Sequence, residues 1–92
     1  MALSNTIVSI GTTSATVATV AGGATYLLIA NAGTETIHIN YGGAATVSHL
    51  PIAGSGGSWE PPHRYLVDTL RGKTITGITA SGTNANIHVW QD

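Results

Sequence analysis

The stretch YLLIANAGTETIHINYGG, Tyr26 to Gly43, decides how this chain is read. Its second half alternates: Ile37, Ile39 and Tyr41 fall on one side and His38 and Asn40 on the other. That period of two is the mark of a pleated strand with one dry and one wet face. Between the halves, NAGTE contains Gly33 and reads as a five-residue hairpin connection, and Gly42-Gly43 ends the second strand. The first half, Thr25 to Asn31, does not alternate. Leu27, Leu28, Ile29 and Ala30 run together, so both faces of this strand are apolar. One face is expected to pack on an opposite sheet. The other needs a cover from outside the fold, a neighbouring subunit or a larger scaffold.

The same grammar extends both ways. Ile7–Ile10 is a short strand closed by Gly11, and Ala15–Val20 is a second, closed by Gly22-Gly23. Its Thr and Val side chains suit a pleat better than a helix. Downstream, AATVSHLPI is a weak edge strand interrupted by Pro51, AGSGGS is a turn, and Trp59 opens a short extended piece capped by Pro61-Pro62. Arg64–Val67 reads as a further strand, turned by TLRG. Lys73–Ala80 follows, then the SGTN turn, then Ala85–Gln91 with Ile87 and Val89 opposing His88 and Trp90. No window carries a sustained helical stripe. The expectation is an all-β fold: a single small β-sandwich, or jelly-roll-like double sheet, of eight or nine short antiparallel strands. Residues 15–92 form that domain. Residues 1–14, terminal and rich in Ser, Asn and Thr, read as an N-terminal arm that orders on docking.

Ninety-two residues make one domain. A chain this short buries only about 60–65% of its unfolded surface, and without cysteine no disulfide reinforces it. The net charge is −1 and the cations are Arg64, Arg71 and Lys73, too few to track a phosphate backbone or hold an anionic membrane. The start lacks a basic region followed by an apolar core, and no apolar run reaches the roughly 18 residues of a membrane helix. Synthesis in a cytoplasm, with neither nucleic acid nor membrane as partner, is therefore expected. Only 8% of residues are charged, against about 25% in ordinary globular domains. Hydrophobicity is too high for disorder. A folded chain with so little surface charge resembles the core of a protein–protein interface, where charge is depleted.

Motifs for catalysis fail on inspection. RGKT (Arg71–Thr74) has the end of a phosphate loop, but Val67 stands where its first glycine belongs and a strand follows instead of a helix. GSGGS (Gly54–Ser58) leads into WEPP, which cannot open a dinucleotide-binding helix. His38, His49, His63 and His88 include no HxH or HxxxH pair, so a metal would need separate strands, or His38 or His88 repeated about a symmetry axis. Glu35, Glu60 and Asp68 sit in ordinary solvated contexts. No catalytic, cofactor-binding or metal-binding residue is assigned, and no enzyme is expected. Trp59, Tyr65 and Trp90 could stack a sugar ring. In a chain without phenylalanine they serve first as core and interface anchors.

The run LLIANAGTETIHINYGGAATVSHLPIAGSGGSWEP and the ending GKTITGITASGTNANIHVWQD together resemble small virion proteins of tailed bacteriophages. There an apolar strand passes through N-x-G into an alternating strand ending in Gly-Gly, and the last hairpin carries SGT. The resemblance spans Thr25 to Asp92. It implies a decoration or cement protein, or a head or tail appendage, on the capsid surface of a virion. It also implies a symmetric oligomer, a homotrimer matching three-fold positions of a shell, with the major capsid protein or other virion proteins as partner and no catalytic residues. With the residue reading, it makes Leu27, Ile29, Tyr41, Trp59, Tyr65 and Trp90 the candidate interface. A tail- or fibre-associated glycan-binding module using the surface aromatics is the alternative from a different class. A small metal-dependent β-barrel enzyme is a third.

Overall fold

Eight strands and one short helix follow in the order β1 (Ser4–Ile10), β2 (Ala15–Thr19), β3 (Leu27–Asn31), β4 (Ile37–Tyr41), β5 (Leu50–Ile52), β6 (Gly57–Trp59), α1 (Arg64–Leu70), β7 (Thr74–Thr79) and β8 (Ala85–Gln91). They are seen in a computed structural model that describes residues 4–61, 64–81 and 85–92. The strands form two four-stranded antiparallel sheets. Sheet A has the order β1-β8-β3-β6 and sheet B the order β2-β7-β4-β5. The all-β sandwich expected from the sequence is thus the observed fold.

The strand order has a simple origin. The chain is one long hairpin folded at β4–β5, so that β4 pairs with β5, β3 with β6, β2 with β7 and β1 with β8. The doubled ribbon then rolls up, and β3 meets β8 while β4 meets β7. This is the jelly-roll topology.

Tyr26–Gly43 is not a hairpin: β3 lies in sheet A and β4 in sheet B. A hairpin would set the apolar sides of both strands on one face of one sheet. Here the connection is an arch, and Leu27 and Ile29 face Ile37 and Ile39 across the sandwich, all four buried. Asn31 clamps the arch from inside. Its Nδ2 donates to the carbonyls of Glu35 (2.7 Å) and Ile52 (3.1 Å), and its Oδ1 accepts from the Gly33 amide (3.0 Å). Three of its four possible hydrogen bonds are made, which is what allows an amide to be fully buried. Gly33 is required by space: a Cβ there would stand 2.7 Å from the Cα of Ala85.

The core gathers Ile10, Val17, Val20, Leu27, Ile29, Ile37, Ile39, Ile52, Ile75, Ile87 and Val89 from both inner faces. In β2 the register shifts between Thr16 and Ala18, and the bulge at Val17 lets both Val17 and Ala18 bury on the same side.

Arg64–Val67, expected as a strand, belongs to helix α1. The reason is spacing. Leu66 and Leu70 are four apart and Val67 and Leu70 three apart, so one helical face carries all three to the core. A strand would have sent Leu66 and Val67 to opposite faces. Arg71 follows the helix, pairing with Asp68 at 3.1 Å and donating from Nε to the Ala24 carbonyl at 2.7 Å. At the other end of the chain, the stretch expected as an arm contributes β1, registered with β8 from Ser4 to Ile10. The edge strand expected over AATVSHLPI is confined to β5, after a turn in which the His49 amide bonds back to Thr46.

Candidate functional site

None of the eight strands contains Asp, Glu, Lys or Arg. All charge is held in connections, in α1 and at the C-terminal residue. The three cations fall within residues 64–73, and Glu35 sits in the arch. The strand residues that point outward on either face are therefore uncharged, and what separates the faces is apolar against hydroxyl content.

On sheet A, alternation sends Leu27, Ile29, Ala85, Ile87 and Val89 inward. Three rows are left on the outside, the polar Ser9–Asn86 among them. One runs Asn5–Trp90–Leu28 across β1, β8 and β3; the next runs Ile7–His88–Ala30–Ser58 and reaches β6. Leu28, Ala30, His88 and Trp90 are half-buried, while Ile7 is 62% exposed. Tyr26, just before β3 and of the same parity, adds an exposed ring beside them. The strand residues of this face are uncharged, with aliphatic and aromatic groups lying among Asn5, Ser9, Ser58, Asn86 and His88.

Sheet B presents the rows Thr16–Thr76–Asn40 and Ile78–His38–Pro51. Its polar groups are largely engaged in place. Thr76 Oγ1 donates to the Gly43 carbonyl at 2.7 Å, and Asn40 Nδ2 donates to the Ala44 carbonyl at 3.1 Å. His38 Nδ1 lies 3.1 Å from the His49 carbonyl, which can only accept, so that nitrogen carries the proton. His49 Nδ1 in turn accepts from the Thr46 amide at 2.8 Å.

The residues singled out from sequence separate cleanly. Leu27 (1% exposed) and Ile29 (0%) are core, not interface. The strand does have two apolar faces, but the one available to a neighbour is carried by Leu28 and Ala30. The bulkier pair turned inward, and side-chain volume was the signal that could have assigned the parity. Trp59 pairs with Ile29, shares its inward face and packs on the core at the sheet edge. Trp90 faces out, as an interface residue must. Tyr41, at the end of β4 beyond the packed layer, is 47% exposed. The side chain of Tyr65, like His63 and most of the SGTN turn, lies outside the described residues. Ile7, Tyr26, Leu28 and Ala30 are the surface residues that the sequence reading passed over.

No metal or catalytic cluster is assembled among the described residues. His38 and His88 lie in different sheets, and no group of three His, Cys, Asp or Glu side chains converges. Glu35 and Asp68 stand at opposite ends of the sandwich, one in the arch and the other on α1. Among the described residues no helix is long and apolar enough to cross a membrane. Comparison of the chain with family models, with curated proteins and with solved structures returned no match.

Proposed function

We propose that this chain is a structural virion protein of a tailed bacteriophage, a decoration or cement protein that binds the outer capsid surface and braces the shell as a symmetric oligomer. The observation that carries the reading is the outward face of sheet A, where the half-buried Leu28, Ala30 and Trp90 and the exposed Ile7 lie beside the uncharged Asn5 and His88 on strands that contain no charged residue. Contiguous exposed apolar surface marks contact sites. Interface centres are poor in charge and rich in aromatics. Many identical copies can crowd such a surface without long-range repulsion, and an oligomer engaging several shell sites gains through effective concentration. The choice of particle rests on the sequence resemblance. The jelly roll agrees with it, since the fold recurs in viral capsid and lectin domains, but fold alone names no function. The reading assigns no catalytic residue, no cofactor and no metal.

The test is co-sedimentation of the purified chain with expanded capsids. Saturable binding that is lost on Leu28→Lys supports the reading. Failure to sediment with shells at any salt concentration overturns it.

The glycan-binding alternative retains one supporting observation. Trp90 and Tyr26 share the outward face of sheet A, whereas Trp59 is turned to the core. A saturable glycan-array signal abolished by Trp90→Ala would favour it over capsid binding.

A further inference from the structure

The connection between β4 and β5 does not loop away from the sandwich. Residues 42–49 lie as a strap across the outward face of sheet B. Three side chains on that face meet its backbone carbonyls: Thr76 Oγ1 donates to Gly43 at 2.7 Å, Asn40 Nδ2 to Ala44 at 3.1 Å and His38 Nδ1 to His49 at 3.1 Å. The Ala45 amide donates to Ser14 Oγ, just before β2, at 2.9 Å. Ala45 is buried at 3% exposure but is not part of the core gathered between the sheets.

The strap is locked by one turn over residues 46–49. The His49 amide donates to the Thr46 carbonyl at 3.0 Å, and the Ser48 amide to Thr46 Oγ1 at 3.3 Å. The half-buried His49 then reaches back: its Nδ1 accepts from the Thr46 amide at 2.8 Å, with the Thr46 hydroxyl 3.2 Å away. A capping box works in this way, the residue three places on returning its side chain to the first amide, but with Glu or Gln as the acceptor. Here the acceptor is an imidazole. A backbone amide can only donate, so this bond needs the lone pair of a neutral ring. An imidazolium carries N–H on both nitrogens. Protonation sets two donors against each other where one bond held the turn.

We propose that His49 is a pH-sensitive buckle: neutral, it holds the strap closed over sheet B, and protonated, it unlocks the turn and lets the strap lift from Ser14. Closure is complete where the imidazole is neutral and is lost as the pH falls through the range in which imidazoles take up a proton. His38, packed from β4 against the His49 carbonyl, donates from Nδ1 in either charge state, so it favours closure throughout. Tyr41 is the other titratable side chain of β4. Strands β2, β5, β6 and β7 contain none, and neither do residues 11–14 or 42–48. Among the described residues no carboxylate pairs with His38 or His49. The strap lies on sheet B, so its opening and capsid binding by sheet A are measured separately.

The test is nuclear magnetic resonance of the full chain between about pH 8 and pH 5, following the His49 ring nitrogens together with amide exchange, scaled at each pH to the rate of an unstructured chain. At the upper end Nδ1 should be the unprotonated nitrogen. As the ring takes up its proton, protection of the Thr46 and Ala45 amides should fall about tenfold, as expected for the loss of one hydrogen bond. His49→Gln keeps an acceptor and removes the titration, so both amides should stay protected across the range. His38→Gln should leave the pH dependence in place. Protection that still falls in His49→Gln overturns the proposal. So does a wild-type chain in which His49 titrates while either amide keeps its protection, or one whose neutral His49 carries its proton on Nδ1. These last two results need no variant, and decide the matter even where a substitution prevents folding.

Discussion

Sheet A turns Leu28, Ala30, Ile7 and Trp90 outward beside Asn5, His88 and Ser58; sheet B turns Thr16, Thr76, His38 and Asn40 outward beside Ile78 and Pro51. The two faces are made by the same alternation, have equally charge-free strands, and differ in what their side chains can do with water. On sheet B, hydroxyl, amide and imidazole groups bond to nearby carbonyls or face solvent, so that face is complete in a single chain. On sheet A, the aliphatic groups gain from nothing but removal from water, at roughly 25 cal/mol per Å². Low charge alone does not define an adhesive surface. The hydroxyl-rich face shows that a charge-poor sheet can be wetted, and the contrast is why the proposed contact is assigned to sheet A.

The largest effect is expected where the two faces are kept apart, at the arch. Asn31→Leu leaves the Gly33 amide and the Glu35 and Ile52 carbonyls without their partner, and should cost about 3 kcal/mol in urea unfolding. A near-neutral result would mean that the arch does not depend on the clamp. Gly77→Val comes next. A Cβ at Gly77 already falls 2.7 Å from Val17 Cγ2 at the bulge of sheet B, and overpacking there should cost roughly 2 kcal/mol. The contrast itself is tested by Leu28→Lys on sheet A. Capsid binding should drop at least tenfold, about 1.4 kcal/mol, with the thermal midpoint moved little because Leu28 is not core. The smallest change is expected from Thr16→Lys on sheet B, within about 0.5 kcal/mol in stability and without effect on binding. Equal losses of binding from these last two substitutions would dissolve the distinction between the faces.

Much of the fold was legible. Gly11, Gly33 and Gly42-Gly43 mark where strands stop, and the alternation of Ile37 with His38 or of Ile87 with His88 marks their pleat. Helix α1 was missed because Leu66 and Val67 look β-like over four residues, and the helical spacing appears only when Leu70 is included. The candidate surface was half legible. Leu27–Ala30 announces two apolar faces, and only the greater volume of Leu27 and Ile29 over Leu28 and Ala30 hints at which is buried.

What the sequence by itself determined is the class of fold, the positions of most strands and the absence of charge from all of them. These are local properties, written in period-two alternation, turn glycines and composition. Only the tertiary structure decided that β3 and β4 part into opposite sheets and that β1 is registered with β8. It alone decided that Leu28 and Trp90 face outward together. Alternation states that a strand has two sides. Which side is core depends on strands far away in the chain, here β8 against both β1 and β3, and no local pattern specifies those pairings.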